Sequence, residues 1–174
     1  PRDRVIAALD ARDGEVVVEG WRTRTGASVA DRIRELAPYV GGFLVTTVER
    51  EGRMAGADLA AAADVVRLAR ECREDLRITW AGGVTSAEEV AELDRLGADA
   101  QVGMALYSGK LRLAEAFTAP LASDRPDGLW PVVVCDEAGI ALGLVWGDRE
   151  SVAESLKRGR GVYRSRTRGL WEKG

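Results

Sequence analysis

Histidine does not occur in the 174-residue chain. Its absence excludes a Ser-His-Asp triad, a Cys-His pair and any histidine-ligated metal within the sequence. Acid–base chemistry is left to Asp, Glu, Lys, Tyr or Cys. Cysteine is scarce too: Cys72 and Cys135 are too few for a disulfide framework or a cysteine zinc site. No apolar run is long enough to span a bilayer, and the opening PRDRVIAALD has no signal-peptide core. Both features predict a cytoplasmic protein with no membrane partner. An excess of positive charge is also missing. The formal net charge is −3 and the pI is near 5.2, so nucleic acid is not an expected partner. What is present is 46% hydrophobic residues, at a length suited to one ordinary domain or two small pieces.

The stretch that organises the rest is WAGGVTSAEEVAELDRLGADAQVGMALYSG, residues 80–109. Residues 77–81 read as a buried strand that stops at Gly82-Gly83. Ser86 then caps a predicted helix whose apolar positions Val90, Leu93 and Leu96 recur at three-residue steps, with Glu88 and Glu89 in its first turn. Gly97 ends that helix, and residues 100–102 form a second short strand stopping at Gly103. A strand that runs into glycine and then a helix leaves backbone N–H groups aimed at one spot, which glycine lets a ligand approach. Two such turns at the ends of neighbouring parallel strands make a phosphate cradle, the arrangement after strands seven and eight of a (β/α)8 barrel. The spacing equally allows Gly82, Gly83 and Gly103 to be tight connections only.

Taken in order, residues 5–9 read as a buried strand that delivers Asp10 at its C-terminal end. Gly14 turns the chain into a short extended excursion over 15–19, before Gly20-Trp21. A helix is predicted from Ser28 to about Tyr39 with Ile33 and Leu36 buried, Pro38 bringing it near its end. Residues 43–45 form the next strand, ending in Thr46-Thr47, and a long alanine-rich helix covers 57–72 after the loop EREGRMAG. This makes four strand–helix units with parallel strands and right-handed crossovers. Chemistry is then sought at strand C-terminal ends, at Asp10, Thr46, Gly82-Gly83 and Gly103. On local grounds Asp10 also fits a turn cap, the threonines ordinary strand positions and Trp21 a solvated loop aromatic.

AALDARDG with its following GW, TTVEREGRMAG, WAGGVTSAEEV and VGMALYSGKLRLAEAF, in that order over about residues 3–118, resemble the second half of the histidine-biosynthetic ProFAR isomerases. These are (β/α)8 barrels that open the ribose ring of ProFAR by an Amadori rearrangement. A related barrel, the cyclase subunit of imidazole glycerol phosphate synthase, shares the architecture; ALYSG and the GW pair favour the isomerase. The resemblance implies that Asp10 is the strand-five general acid protonating the ring oxygen, and that Thr46 is the strand-six threonine contacting substrate. It implies that Trp21 stacks on the imidazole, and that Gly82, Gly83, Gly103 and Met104 belong to the cradle of one of the substrate's two phosphates. No cofactor is implied for this half. One departure is Glu51-Gly52 where the family carries Asp-Gly; the added methylene displaces the carboxylate and argues against a direct role for Glu51.

Residues 119–127, within TAPLASDRPDG, carry two prolines among turn formers and read as a linker. Beyond it the pattern turns β-rich. Residues 131–135 and 140–146 are joined by the turn 136–139, a helix covers 149–158 with Val152 and Leu156 inward, and Gly159 ends it. The closing GVYRSRTRGLWEKG alternates Arg160, Arg164, Arg166, Arg168 and Lys173 with apolar residues, which also suits a solvated basic edge strand. DRPDGLWPVVVCDEAG, LGLVW and GRGVYRSRTRGLW with EKG resemble the beginning of phosphoribosyl-AMP cyclohydrolase, as found in histidine-pathway fusions. That resemblance implies that Arg164, Arg166, Trp171 and Lys173 help hold a phosphoribosyl nucleotide. It also implies zinc and magnesium for a complete cyclohydrolase, whose ligands should lie after Gly174.

The expected architecture is therefore α/β: a half-barrel of four βα units over 1–118, a linker over 119–127, and an incomplete cyclohydrolase-like α+β segment over 128–174. The expected function is histidine biosynthesis, as the middle of a longer isomerase–cyclohydrolase fusion incomplete for both activities. Its substrates would be phosphoribosyl small molecules and its partner the missing half-barrel in cis. The alternative is a half-barrel that self-associates, or a non-catalytic phosphate-binding platform.

Overall fold

The computed structural model describes residues 1–172, which divide into two units, one ending at Arg112 and one starting at Leu113. In the first, period-two burial builds a sheet and capped amphipathic helices cover it. Strand β1 (Ile6–Arg12) is followed by β2 (Glu15–Val18), β3 (Thr23–Ser28) and helix α1 (Val29–Leu36). Then come β4 (Gly42–Thr47), α2 (Leu59–Cys72), β5 (Arg77–Ala81), α3 (Ala87–Leu96), β6 (Asp99–Gln101) and the short α4 (Met104–Tyr107). The sheet order is β3-β2-β1-β4-β5-β6. Strands β1, β4, β5 and β6 pair in parallel, while β2 and β3 fold back as an antiparallel flap on the β1 edge.

Side chains alternate across a strand, and one face of this sheet is dry. Leu9, Phe43, Val45, Ile78 and Trp80 are buried there, and the helices contribute Ile33, Val66, Ala69 and Leu93. Burying a side chain of this size stabilises by about 1.5–3 kcal/mol, so this layer carries the unit. Capping boxes start α1 (Ser28 with Asp31) and α3 (Ser86 with Glu89), Asp58 caps α2, and Gly97 closes α3 in the left-handed region. The opposite face is more open. It presents Ala8, Asp10, Asp99 and Gln101, together with Ile6 at 51% exposure.

Two differences from the sequence reading bear on the site. Strand β1 does not stop at Asp10 but runs on to Arg12, because Ala11 and Arg12 find partners in β2. The short excursion is a full hairpin: TRTGAS, too polar to read as a strand, is held extended by backbone pairing to β2.

The second unit comprises α5 (Leu113–Thr118), β7 (Trp130–Cys135), β8 (Ala141–Gly147), α6 (Arg149–Arg158), β9 (Val162–Ser165) and β10 (Gly169–Glu172). Its sheet, order β10-β9-β8-β7, is antiparallel throughout. Helix α5 packs against α6, and the Arg149 guanidinium donates to the Thr118 hydroxyl at 3.0 Å. Asp136 makes the β7–β8 turn by accepting from the Ala138 and Ile140 amides, with Gly139 left-handed. In α6 the inward residue is not Leu156, which is 43% exposed, but Ser151 at 1%. The reason is polar: Asp148 caps the helix through the Ser151 amide, and Ser151 Oγ donates to the Asp148 carbonyl. Ser155 Oγ then ties the helix to both the amide and the carbonyl of Val162.

Candidate functional site

The register of the parallel strands puts Asp10, Thr46, Ala81 and Gln101 in one row. Neighbours in register share a face, so the half-buried Asp10 and the buried Thr46 stand side by side near the C-terminal ends of their strands. Trp21 joins them. The β2–β3 turn carries it back over β1, and its indole N–H donates to Asp10 Oδ2 at 2.8 Å. The turn is unusual: Glu19, Gly20 and Trp21 are all left-handed, with φ of 55°, 68° and 71°. Thr47, one residue past Thr46, points its hydroxyl at the Ala81 and Gly82 carbonyls (3.3 Å each) and ties the end of β4 to the end of β5.

The glycines meet at a separate pocket of about 310 Å³, open to solvent, at the ends of β5 and β6. Gly82, Gly83, Gly103 and Met104 line it together, and so does Glu51 from the loop after β4. Gly82 and Gly83 have φ of 93° and 84°. A Cβ on Gly82 would come within 2.6 Å of the Thr47 carbonyl oxygen, and one on Gly83 within 2.2 Å of the Gly56 oxygen. Both the cradle and the tight connection thus require glycine here. Among the described residues, the amides of Gly83 and Gly103 meet no protein acceptor, whereas the first amides of the α3 turn are already taken. Glu89 accepts from the amides of Thr85 (2.7 Å) and Ser86 (3.2 Å) with one oxygen and from Ala57 (2.9 Å) with the other. That capping glutamate fixes the β4 loop against α3.

Electrostatically the pocket is a backbone site. Its lining includes the Glu51 carboxylate and no cationic side chain. The nearby Arg50 turns away, donating to the Gly56 carbonyl at 3.0 Å and pairing with Asp58 at 3.6 Å. An anion entering this pocket would be held by amides alone and would face Glu51 across it. The Asp-to-Glu departure therefore places a carboxylate at the pocket after all. Its sequence signal was the Glu-Gly pair at the loop tip, and the capping box S-x-x-E was the signal for Glu89.

In the second unit Arg164, Arg166 and Trp171 line one groove of about 570 Å³ together with Trp146. Arg164 is already engaged, its guanidinium forked between Asp148 and Glu150. Those two carboxylates hold the guanidinium pKa above its usual value. Burial pushes the Asp148 carboxyl up, but the Ser151 amide and Arg164 outweigh it and the net shift is downward. Trp146 lies between Arg125, 4.4 Å from its ring centre, and Arg166, at 5.5 Å. Trp171 packs on Tyr163 with ring centres 5.7 Å apart. The fourth expected residue, Lys173, lies outside the described residues. As for the zinc and magnesium of a cyclohydrolase, the described residues contain no cluster of three His, Cys, Asp or Glu side chains that could hold a metal ion. Cys72 and Cys135 are both exposed, one in each unit. The described residues do not fit a metal ion. Among the described residues no helix is long and apolar enough to cross a membrane.

Comparison with known proteins bears on both units. The family described as histidine biosynthesis protein matches residues 1–112. The chain is 58% identical over 65 residues to the histidine biosynthesis bifunctional protein his7 of Schizosaccharomyces pombe, covering 37% of this chain and 16% of that protein. It is 29% identical to the histidine biosynthesis trifunctional protein of Neurospora crassa, a match taking in 99% of this chain and 21% of the other. A phosphoribosyl imidazole-4-carboxamide isomerase of Methanocorpusculum labreanum is 38% identical over 120 residues, 67% of this chain and 48% of the isomerase. The chain thus spans about half the length of such isomerases and a smaller share of the multifunctional proteins.

Proposed function

The chain belongs to the histidine biosynthesis protein family, and from that premise we propose that it is part of a two-activity enzyme of that pathway. In this reading residues 1–118 supply the second half of a ProFAR isomerase barrel in the cytoplasm. Residues 128–174, after the linker 119–127, supply the start of a phosphoribosyl-AMP cyclohydrolase. The observation that carries it is the placement of Asp10 and Thr46 in one strand-end row, beside a glycine pocket with unclaimed amides at Gly83 and Gly103. That is what a substrate with a phosphate at one end and a furanose at its centre calls for.

The chemistry assigned to this half is the first proton transfer. Asp10 protonates the ring oxygen, the C1–O bond breaks, and the electron pair of the amidine-type nitrogen on C1 makes the open-chain iminium. A base on the opposite side then takes the C2 hydrogen to give the enolamine, which tautomerises to the ketose. Thr46 contacts the substrate beside Asp10, and the Gly82, Gly83, Gly103 and Met104 backbone holds one phosphate. The base and the second phosphate site belong to the other half-barrel. Arg166 and Trp171, with Arg164 and Lys173, are assigned to the phosphoribosyl nucleotide of the cyclohydrolase.

The test is to assay ProFAR isomerisation by the chain alone and by the chain produced together with the half-barrel that precedes it in the isomerase relatives. Activity in the pair and none in the chain alone is expected; a silent pair defeats the reading. A second reading, in which two copies associate through their sheets, is favoured by the open face that carries Ile6 and Ala8. Sedimentation of the chain alone distinguishes the two, since a compact monomer contradicts self-association.

A further inference from the structure

Stacking on an imidazole uses the flat face of Trp21, but the contact present in the structure uses its edge. The indole N–H donates to Asp10 Oδ2 at 2.8 Å, and among the described residues this is the one hydrogen bond made by that carboxylate. We propose that Trp21 is the positioning residue of Asp10: it fixes Oδ2 and leaves Oδ1 as the oxygen that carries and transfers the proton. The inference rests on the reading of Asp10 as the acid and adds to it which oxygen acts and what aims it.

Three observations carry the argument. The Asp10 backbone is immobilised, since β1 is paired on one side with Thr46 of β4 and on the other, one residue later, with Val16 of β2. Only the side-chain torsions remain free, and the indole is what constrains them. Second, an indole N–H can only donate. The carbonyl oxygen of a carboxylic acid is a stronger acceptor than its hydroxyl oxygen, so holding the indole on Oδ2 favours the proton on Oδ1. Third, the turn that delivers Trp21 holds two non-glycine residues, Glu19 and Trp21, in the left-handed region. L-residues resist that conformation, and it persists where the surroundings over-determine it. Here the surroundings are the Arg22 amide on the Val18 carbonyl (3.1 Å), the Thr23 hydroxyl on Glu19 (2.7 Å) and the indole on Asp10. Burial does not account for it, because Trp21 is 38% exposed.

Trp21→Phe separates the two roles of the ring, keeping an aromatic face and deleting the donor. The first measurement is made on the 174-residue chain by NMR, with three-bond couplings across the Asp10 χ1 torsion and the Trp21 Nε1–H resonance as readouts. The wild type is expected to show one Asp10 rotamer, and Trp21→Phe an average over several, with the amide spectrum otherwise intact. Asp10→Ala should move the indole proton upfield. Unchanged couplings in Trp21→Phe, or an averaged Asp10 in the wild type, overturn the proposal. The second measurement uses the reconstituted pair of half-barrels. Trp21→Phe should lower kcat roughly 10- to 100-fold, the worth of a hydrogen bond to a charged group, at constant KM. Trp21→Ala should raise KM as well, through loss of the face. A Trp21→Phe pair as fast as wild type overturns the positioning role. If the wild-type pair is silent while the couplings respond as expected, the isomerase reading fails and the positioning of Asp10 stands.

Discussion

The two units gather groups that suit an anion by opposite means. The first gathers backbone amides around glycines that the fold holds in place, with no basic side chain in the pocket. The second gathers arginines and tryptophans across β8 and the β9–β10 hairpin, and one of those arginines, Arg164, is already bound to Asp148 and Glu150. Amides fixed by a strand end need no side-chain ordering on binding, whereas an arginine surrenders rotamer freedom and, here, two existing ion pairs. Geometry in the first unit is therefore a property of the fold. In the second it is a property of competition between partners.

The sharpest way to break this contrast is at Asp10, the ionisable side chain to which the proposed function assigns the first proton transfer. In the reconstituted pair, Asp10→Asn is expected to cost about 10²- to 10⁴-fold in kcat, the usual worth of a general acid. A loss below tenfold means another group donates the proton. Next in size is Gly83→Ala. Its Cβ would meet the Gly56 carbonyl at 2.2 Å from a φ of 84°, so the β4 loop has to move. Chemical denaturation should register about 1–3 kcal/mol of lost stability. Titration with a ribose 5-phosphate analogue, which should shift the Gly83 and Gly103 amides of the wild type, should leave the variant unmoved. Wild-type amides that ignore the titrant would show that the glycines serve packing alone.

In the second unit the test is Asp148. Its folded-state pKa is lowered, so its contribution to stability is fully present above the unfolded value and is lost as pH falls through the folded one. Stability followed from about pH 7 down to about pH 2 should therefore drop across the carboxylate range. Asp148→Ala should flatten that limb and cost about 0.5–2 kcal/mol at neutral pH through loss of the α6 cap. A limb that survives the substitution points to other carboxylates. The smallest effect is expected from Glu150→Gln, which removes the exposed one of the two partners of Arg164. Its cost should stay within about 1 kcal/mol and fade in high salt. It should also free the Nη2 side of the guanidinium while Asp148 keeps Nε, so that phosphate perturbs the Arg164 side-chain resonances more strongly than in wild type.

Much of this was written locally in the sequence. Ser28, Ser86 and Gly97 announced helix boundaries because a cap acts on its own turn, and the structure has all three in those positions. The apolar runs around Val45 and Trp80 announced buried strands, and GG before a capped helix announced a strand end with a pocket beside it. Each of these signals depends on residues within a few positions of one another. What no local pattern held was which groups would meet across the chain. TRTGAS became a strand only because β2 offered it a backbone ladder. Trp21 reached Asp10 because three left-handed residues fold the hairpin tip back over β1, and the angle of that tip is set by the sheet. Glu89 spans to Ala57 across 32 positions, and Arg164 lost its freedom to carboxylates 14 and 16 residues away. The sequence by itself determined the apolar strands, the helix caps and the residue types at the strand ends, because burial period and capping are local. Only the tertiary structure decided the partners of Asp10, Glu89 and Arg164, because hydrogen bonds and ion pairs depend on distances that the packing of whole elements sets.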